Sequence, residues 1–269
     1  MTRDQFAFQI AQKLETSKDA LQAYWKNSHP VRHFYIDDLL PKEWALACYE
    51  ALPPTSELLF RNTDKERKHV GVAVESYNPL VGEILYAFQD ERVICTIEAI
   101  TGIEALQKDE SLYGSGISLM EEGSFLMPHL DNSHDGDSKL YRVLNTLYYI
   151  TPEWPEHKGG NLELWDKSMK ERVEIHSRFN RLAVMETHTA SIHGVNKVTH
   201  HTARACISNY YFSTKPVNSI PYTHKTTFFA RPEDPTIKKL KFRLEGQAKN
   251  FLSKFFDNKS RKTKHRRKL

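Results

Sequence analysis

Cysteine is scarce in this chain. Cys48, Cys95 and Cys206 are the only three in 269 residues, and no two form a CxxC pair. That pattern excludes a disulfide framework and a thiolate zinc site, and it fits a reducing compartment, the cytoplasm. Long apolar runs are missing as well; nothing approaches the ~18 consecutive apolar residues of a membrane span. The opening MTRDQFAFQIAQKLE carries charge through its apolar positions, which argues against a secretory signal. No internal repeat is found. Acidic residues are thin at one end: residues 231–269 hold 14 Lys/Arg against 4 Asp/Glu, a net of +10. The other 230 residues hold 24 against 30, a net of −6, so the overall +4 reflects a basic tail on a mildly acidic body.

What is present is an ordinary core supply, 39% hydrophobic and 27% charged, in a length that suits one large domain with appendages. Phe6, Ile10, Leu14, Leu21 and Trp25 recur near helical spacing and predict helix over 3–26. A second helix is predicted over 41–51, with Pro41 in its first turn, an apolar stripe of Trp44, Ala45, Ala47, Cys48 and Ala51, and Pro53-Pro54 as its stop. The stretch RNTDKERKH at 61–69 reads as a polar loop, and 79–101 as a further helix. The character then changes. Between about 112 and 213 run eight short strand-like segments: GISLM, SFLMPHLD, LYRVLNTLYYI, GNLELW, RVEIH, RLAVME, ASIHGV and RACISNYYF. They imply an antiparallel sandwich or barrel. Helix returns over 236–256.

The informative segment is Pro128-His129-Leu130-Asp131. Side chains alternate along a strand, so His129 and Asp131 share a face and can reach one metal ion. Sixty-two residues after Asp131 comes His193, on a later strand-like segment, and eleven further is Arg204. Two imidazoles and one carboxylate on one side of Fe(II) form the facial triad, which leaves three positions open. A 2-oxo acid can fill two and dioxygen the third. The far carboxylate of such a ligand then calls for a guanidinium, and Arg204 is the candidate. His-x-Asp alone also describes a structural pair on a strand, and His188, five residues before His193, is a rival ligand.

With these residues in place, 117–213 resembles the Fe(II)/2-oxoglutarate-dependent oxygenases, within them the prolyl 4-hydroxylase-like branch. The matching stretches are HLDN at 129–132, LYYI at 147–150, GGNLELW at 159–165, SIHGV at 191–195 and RACISNYYF at 204–212. The resemblance implies an all-β core with flanking helices, a double-stranded β-helix or jelly roll. It implies His129, Asp131 and His193 as catalytic iron ligands, with Arg204 and Tyr149 binding the outer carboxylate of 2-oxoglutarate. The cofactors implied are Fe(II), 2-oxoglutarate as co-substrate and O2, with ascorbate as an auxiliary reductant. The implied reaction hydroxylates a C–H bond of a prolyl residue, a free amino acid or another small metabolite, releasing succinate and CO2. One departure concerns Ile117-Ser118-Leu119-Met120, which lacks the tyrosine often found there near the inner carboxylate. Asp131 is present, so a halogenase pattern is not indicated. Two rival readings use the same scaffold: a non-catalytic binding module, and a zinc or cupin-type hydrolase with the same three ligands. A hydrolase has no use for Arg204.

Other residues carry weaker readings. His134, Asp135 and Asp137 line an entrance or form a solvated turn. His200 and His201 read as turn residues, and Trp154 and Trp165 as packing. Tyr148 and Tyr149 point opposite ways; Asn145 shares Tyr149's face; Asn209 and Tyr210 belong to core or pocket. In 238–256, Leu240, Leu244, Phe251 and Phe255 fall on one helical face among Lys238, Lys239, Lys241, Arg243 and Lys249. Such a helix either docks on the sandwich or meets a membrane surface or other anionic partner. The end, KSRKTKHRRKL, reads as a solvated tail, and a nucleic-acid contact there rests on charge alone. The expected organisation is a helical support region at 1–110, the oxygenase core at 111–230 and a basic extension at 231–269.

Overall fold

A computed structural model describes residues 1–109, 112–137 and 139–255. The basic end at 259–269, expected as a solvated tail, lies outside the described residues. In chain order the elements are α1 (Arg3–Thr16), α2 (Lys18–Asn27), β1 (His33–Ile36), α3 (Lys42–Glu50), β2 (Leu59–Asn62), β3 (Glu66–Gly71), α4 (Pro79–Ala87), α5 (Glu91–Thr101), β4 (Leu106–Gln107), β5 (Gly116–Met120), β6 (Phe125–Leu130), β7 (Tyr141–Tyr149), β8 (Leu162–Trp165), β9 (Arg172–Ile175), β10 (Arg181–Glu186), β11 (Ile192–Val195), β12 (Arg204–Ser213), β13 (Thr227–Phe228) and α6 (Thr236–Phe255).

All eight expected strand segments are strands. They join one antiparallel sheet in the order β1-β10-β7-β12-β5-β3-β6-β11-β8-β9, with β2 on β3, β4 on β12 and β13 on β6. The sheet curls into a nearly closed barrel of jelly-roll type, with helices on its outer face. Alternation along β7 sorts the two environments. Leu144 and Tyr148 face outward and pack with Phe6, Ile10, Leu14, Ile84, Leu85 and Ile97 from the helices. Leu147 and Tyr149 face inward with Leu162, Leu164, Ile175, Ala183, Met185 and Cys206. Each fully buried aliphatic or aromatic side chain on the outer face contributes about 1.5–3 kcal/mol, so the helical layer holds the barrel wall in place.

Three expectations fail locally. The helix predicted over 3–26 is two helices: Ser17 leaves helical geometry (φ −103°, ψ 5°) and caps both. The helix predicted over 79–101 is also two. Asp90 caps α5 by accepting from the Arg92 N–H at 3.0 Å, and the Phe88 carbonyl freed by the break accepts from the Tyr211 hydroxyl at 2.6 Å. The polar loop predicted over 61–69 is a hairpin. Glu66 binds Arg61 at 3.5 Å and Lys68 at 3.1 Å along it. Strand β3 pairs with β2 along one edge and, along the other, with β6 through Glu66 and Arg67 and with β5 through His69–Gly71, linking β5 to β6. A charged strand shows no hydrophobic period, and its pairing is supplied by edges distant in sequence. The first 110 residues, expected as helical support, therefore also contribute β1 to β4.

The C-terminal helix α6 docks on the barrel. Phe242 is buried, Lys241 pairs with Asp64 at 2.6 Å, and Lys65 pairs with Glu245. Gly246 allows close approach: a Cβ there would sit 2.9 Å from Thr227 Cγ2 on β13.

Candidate metal and co-substrate site

Strands β6 and β11 pair with His193 directly opposite His129. Asp131 follows His129 by two residues and returns to the same face. The two imidazoles lie 4.3 Å apart between centroids. His129 Nε2 is 3.4 Å from Asp131 Oδ1, and His193 Nε2 is 3.6 Å from Asp131 Oδ2. One ligand atom from each residue falls within 4.8 Å of the others, the single such cluster among the described residues. Each imidazole places Nδ1 3.0 Å from a backbone carbonyl two residues earlier, Met127 for His129 and Ser191 for His193. A carbonyl can only accept, so Nδ1 carries the proton and Nε2 turns its lone pair toward the cluster. Phe228 of β13 stacks on the His129 ring at 5.3 Å.

Three electron-pair donors thus converge with no proton between them. Asp131 Oδ2 has no hydrogen-bond donor, although its surroundings are buried. Octahedral binding of a cation at ~2.1 Å separates neighbouring ligand atoms by ~3 Å, close to the spacing found. The residues fit a divalent ion. Their charge states fit too. Burial opposes ionisation of Asp131, but the Arg142 guanidinium beside it outweighs that and holds the carboxyl well below the ordinary range. Burial, reinforced by neighbouring His129, pushes His193 down to about 4, so it is neutral and ligand-competent at neutral pH.

Sequence reasoning missed Arg142. It stands on β7 with Nη1 3.5 Å from Asp131 Oδ2. Its guanidinium lies over the Tyr210 ring at 4.1 Å, with Tyr113 at 5.6 Å and Phe212 at 5.8 Å. A lone cation in the otherwise uncharged strand YRVLNTLYY was the available signal, because a buried guanidinium needs a carboxylate.

At the other end of the barrel interior lies Arg204, opening β12. It is 3% exposed, donates from Nε to the Gly160 carbonyl at 3.0 Å, and sits 5.3 Å over the Tyr149 ring. Among the described residues no carboxylate pairs with it. The Tyr149 hydroxyl, beside Ser177, makes no hydrogen bond within normal distance, and burial raises its pKa. An unpaired guanidinium and an unpartnered hydroxyl, walled by Leu162, Leu164, Ile175 and Cys206, make a cradle for one carboxylate.

The remaining candidates separate cleanly. His188 stands outside the ligand cluster and binds Glu186 at 3.1 Å. Tyr148 points away from the barrel and donates to Asn180 at 2.7 Å. Asn209 faces the helices and accepts from Gln89 at 2.7 Å, whereas Tyr210 faces Arg142. Asn145 is buried and its Oδ1 has no partner. Asp135 organises its own turn by accepting from the Lys139 N–H at 2.7 Å. Trp154 is buried and donates to Gly159 at 2.9 Å, and Trp165 is buried packing. His200 and His201 stack on each other at 4.3 Å. Beside Asp131 is a tight, closed-in recess bordered by Arg142, Thr187, His188 and His224. The Thr187 hydroxyl and both ring nitrogens of His224 lack partners there.

Residues 115–212 match the family model of the 2OG-Fe(II) oxygenase superfamily. Comparison with curated proteins finds no match. Among solved structures, prolyl 4-hydroxylases from Phytophthora capsici share 19% identity at a TM-score of 0.55, covering 97% of this chain and 82% of that one. The carbocyclase SnoK from nogalamycin biosynthesis shares 13% identity at 0.55, covering 84% and 92%. A Trichoplax adhaerens prolyl hydroxylase, solved with a hypoxia inducible factor peptide fragment, shares 16% at 0.50, covering 75% and 91%. At these identities the structures speak for the fold, and that fold is shared with the prolyl hydroxylase-like branch. The sequence match and the architecture agree over the same stretch: residues 115–212 resemble a 2OG-Fe(II) oxygenase domain in sequence, and the barrel they build has the fold of the solved 2OG-Fe(II) oxygenases.

Proposed function

We propose that this protein is an Fe(II)- and 2-oxoglutarate-dependent hydroxylase in which His129, Asp131 and His193 hold the iron and Arg204 with Tyr149 holds the outer carboxylate of the co-substrate. The observation that carries this reading is Arg204: a buried guanidinium without a carboxylate, beside a buried hydroxyl without a partner, in the same barrel interior as the three ligands. A hydrolase using the ligand set alone gives no reason to maintain that costly arrangement. Iron, 2-oxoglutarate and O2 together supply the conversion of a substrate C–H to C–OH, with succinate and CO2 as the other products.

The chain's own part is binding and positioning. Met127 and Ser191 carbonyls fix the two imidazoles, Arg142 anchors Asp131, and the apolar walls around Tyr149 exclude water from the co-substrate end. Beside Asp131, Thr187 and His224 offer buried unpartnered polar atoms that would face a substrate brought to the metal side of the barrel. A prolyl residue in a peptide is the leading substrate, supported by the fold shared with the peptide-bound Trichoplax adhaerens enzyme; a free amino acid or other small metabolite is the competing class. The test is succinate formation over a panel of proline-containing peptides and free amino acids, with mass spectrometry for one added oxygen atom. Coupled succinate and product from one class supports the reading. Turnover that does not require 2-oxoglutarate overturns it.

A further inference from the structure

Helix α6 docks through one side and leaves the opposite side bare. The docked side carries Phe242, 2% exposed, and Gly246 against Thr227. Ile237, Leu240 and Leu244, at i, i+3 and i+7, share the opposite side and are 84%, 57% and 56% exposed. A contiguous apolar stripe in water is unfavourable unless something covers it. The chemistry around it is cationic. Residues 236–255 hold six Lys/Arg against the single Glu245, and the sequence then continues into seven Lys/Arg within 259–269.

We propose that α6 is a docking element for an anionic lipid surface. Ile237, Leu240 and Leu244 enter the boundary between headgroups and acyl chains, while the exposed Arg243, three residues on from Leu240 at the edge of the stripe, meets anionic headgroups. A nucleic acid would take the cations and leave the stripe in water. A second copy would bring two helices of net +5 face to face. Lipid satisfies both features at once, and the net −6 of the first 230 residues turns the body away from the same surface. Strand β13 lies behind α6 and pairs with His129 and Leu130 of β6. Docking therefore holds the metal-site strand about one helix diameter, ~10 Å, from the surface.

The test is co-sedimentation of the full chain with phosphatidylcholine vesicles and with phosphatidylcholine–phosphatidylserine vesicles. The intact protein should prefer the anionic vesicles by roughly tenfold or more. Leu240→Ser/Leu244→Ser should weaken that binding by roughly tenfold or more while thermal midpoint and Fe(II) binding stay unchanged, since both side chains are more than half exposed. Arg243→Gln should weaken it with the same controls and make its loss in salt shallower, since fewer charges are left to screen. Equal affinity for the two vesicle types overturns the proposal. So does unchanged vesicle binding by the double leucine variant, which would leave a purely electrostatic polyanion contact. Self-association that the leucine variant abolishes, without vesicle binding, would assign the stripe to a second copy instead.

Discussion

Replacing Arg204 by Met removes the buried guanidinium and keeps most of the side-chain volume. With 2-oxoglutarate bound, its outer carboxylate would face Leu162, Leu164 and Ile175 with only the Tyr149 hydroxyl for company. Breaking one side of a buried charge pair costs about 3–5 kcal/mol, which is roughly a hundred- to several-thousand-fold in affinity. Tyr149→Phe removes one donor to a charged acceptor and should cost less, about 1.5–3 kcal/mol. The two variants separate further in the ligand-free protein. Leaving a buried hydroxyl without a partner costs about 1–3 kcal/mol, and the Tyr149 hydroxyl is in that position. Tyr149→Phe should therefore leave the ligand-free thermal midpoint unchanged or raise it by up to about 5 °C, while weakening co-substrate binding. The assay is anaerobic calorimetric titration of 2-oxoglutarate into Fe(II)-loaded protein, with thermal melts of the ligand-free forms alongside. Iron affinity should survive both changes, since neither residue belongs to the ligand cluster. Equal 2-oxoglutarate affinity in the parent and Arg204→Met would refute the anchoring role. A lowered midpoint in Tyr149→Phe would mean that its hydroxyl is structural.

Arg142→Met should destabilise the metal-free protein by about 3–5 kcal/mol by orphaning the Asp131 carboxylate, and the metal-loaded protein by less, because the cation takes over that charge; equal losses in paired melts would remove Arg142 from this role. His193 is held at about 4 against an ordinary 6.5, so on acidification the unfolded chain takes up its proton first. The metal-free protein should hold this stability contribution above pH 6.5 and lose it progressively toward about 4, with the slope flattened in His193→Gln; denaturant midpoints across that window check it. Gly159 sits at φ 74°, and a Cβ there would lie 2.0 Å from the Lys197 carbonyl oxygen. Gly159→Ala should cost at least ~2 kcal/mol, read as a fall in thermal midpoint, and an unchanged midpoint would show that the 154–160 turn relaxes freely.

Local alternation and spacing were enough, in the sequence alone, to find the eight core strands and to put His129 and Asp131 on one face. Strand period is a property of neighbouring residues, and it survives without knowledge of pairing partners. The register that sets His193 opposite His129 is not local, and neither is the cage of Tyr113, Tyr210 and Phe212 around Arg142. The 61–69 hairpin had no apolar period to read, and it became a strand because β5 and β6 offered it unpaired backbone. The breaks at Ser17 and Asp90 were hidden because apolar spacing continued across them, and packing against the barrel decided where each helix turned. The amphipathic pattern of residues 236–256 was visible as two apolar and basic sets. Only docking on β13 determined that Phe242 went inward and Leu240 and Leu244 stayed out, because of the two apolar sides it is the one with Gly246 that can approach Thr227 closely.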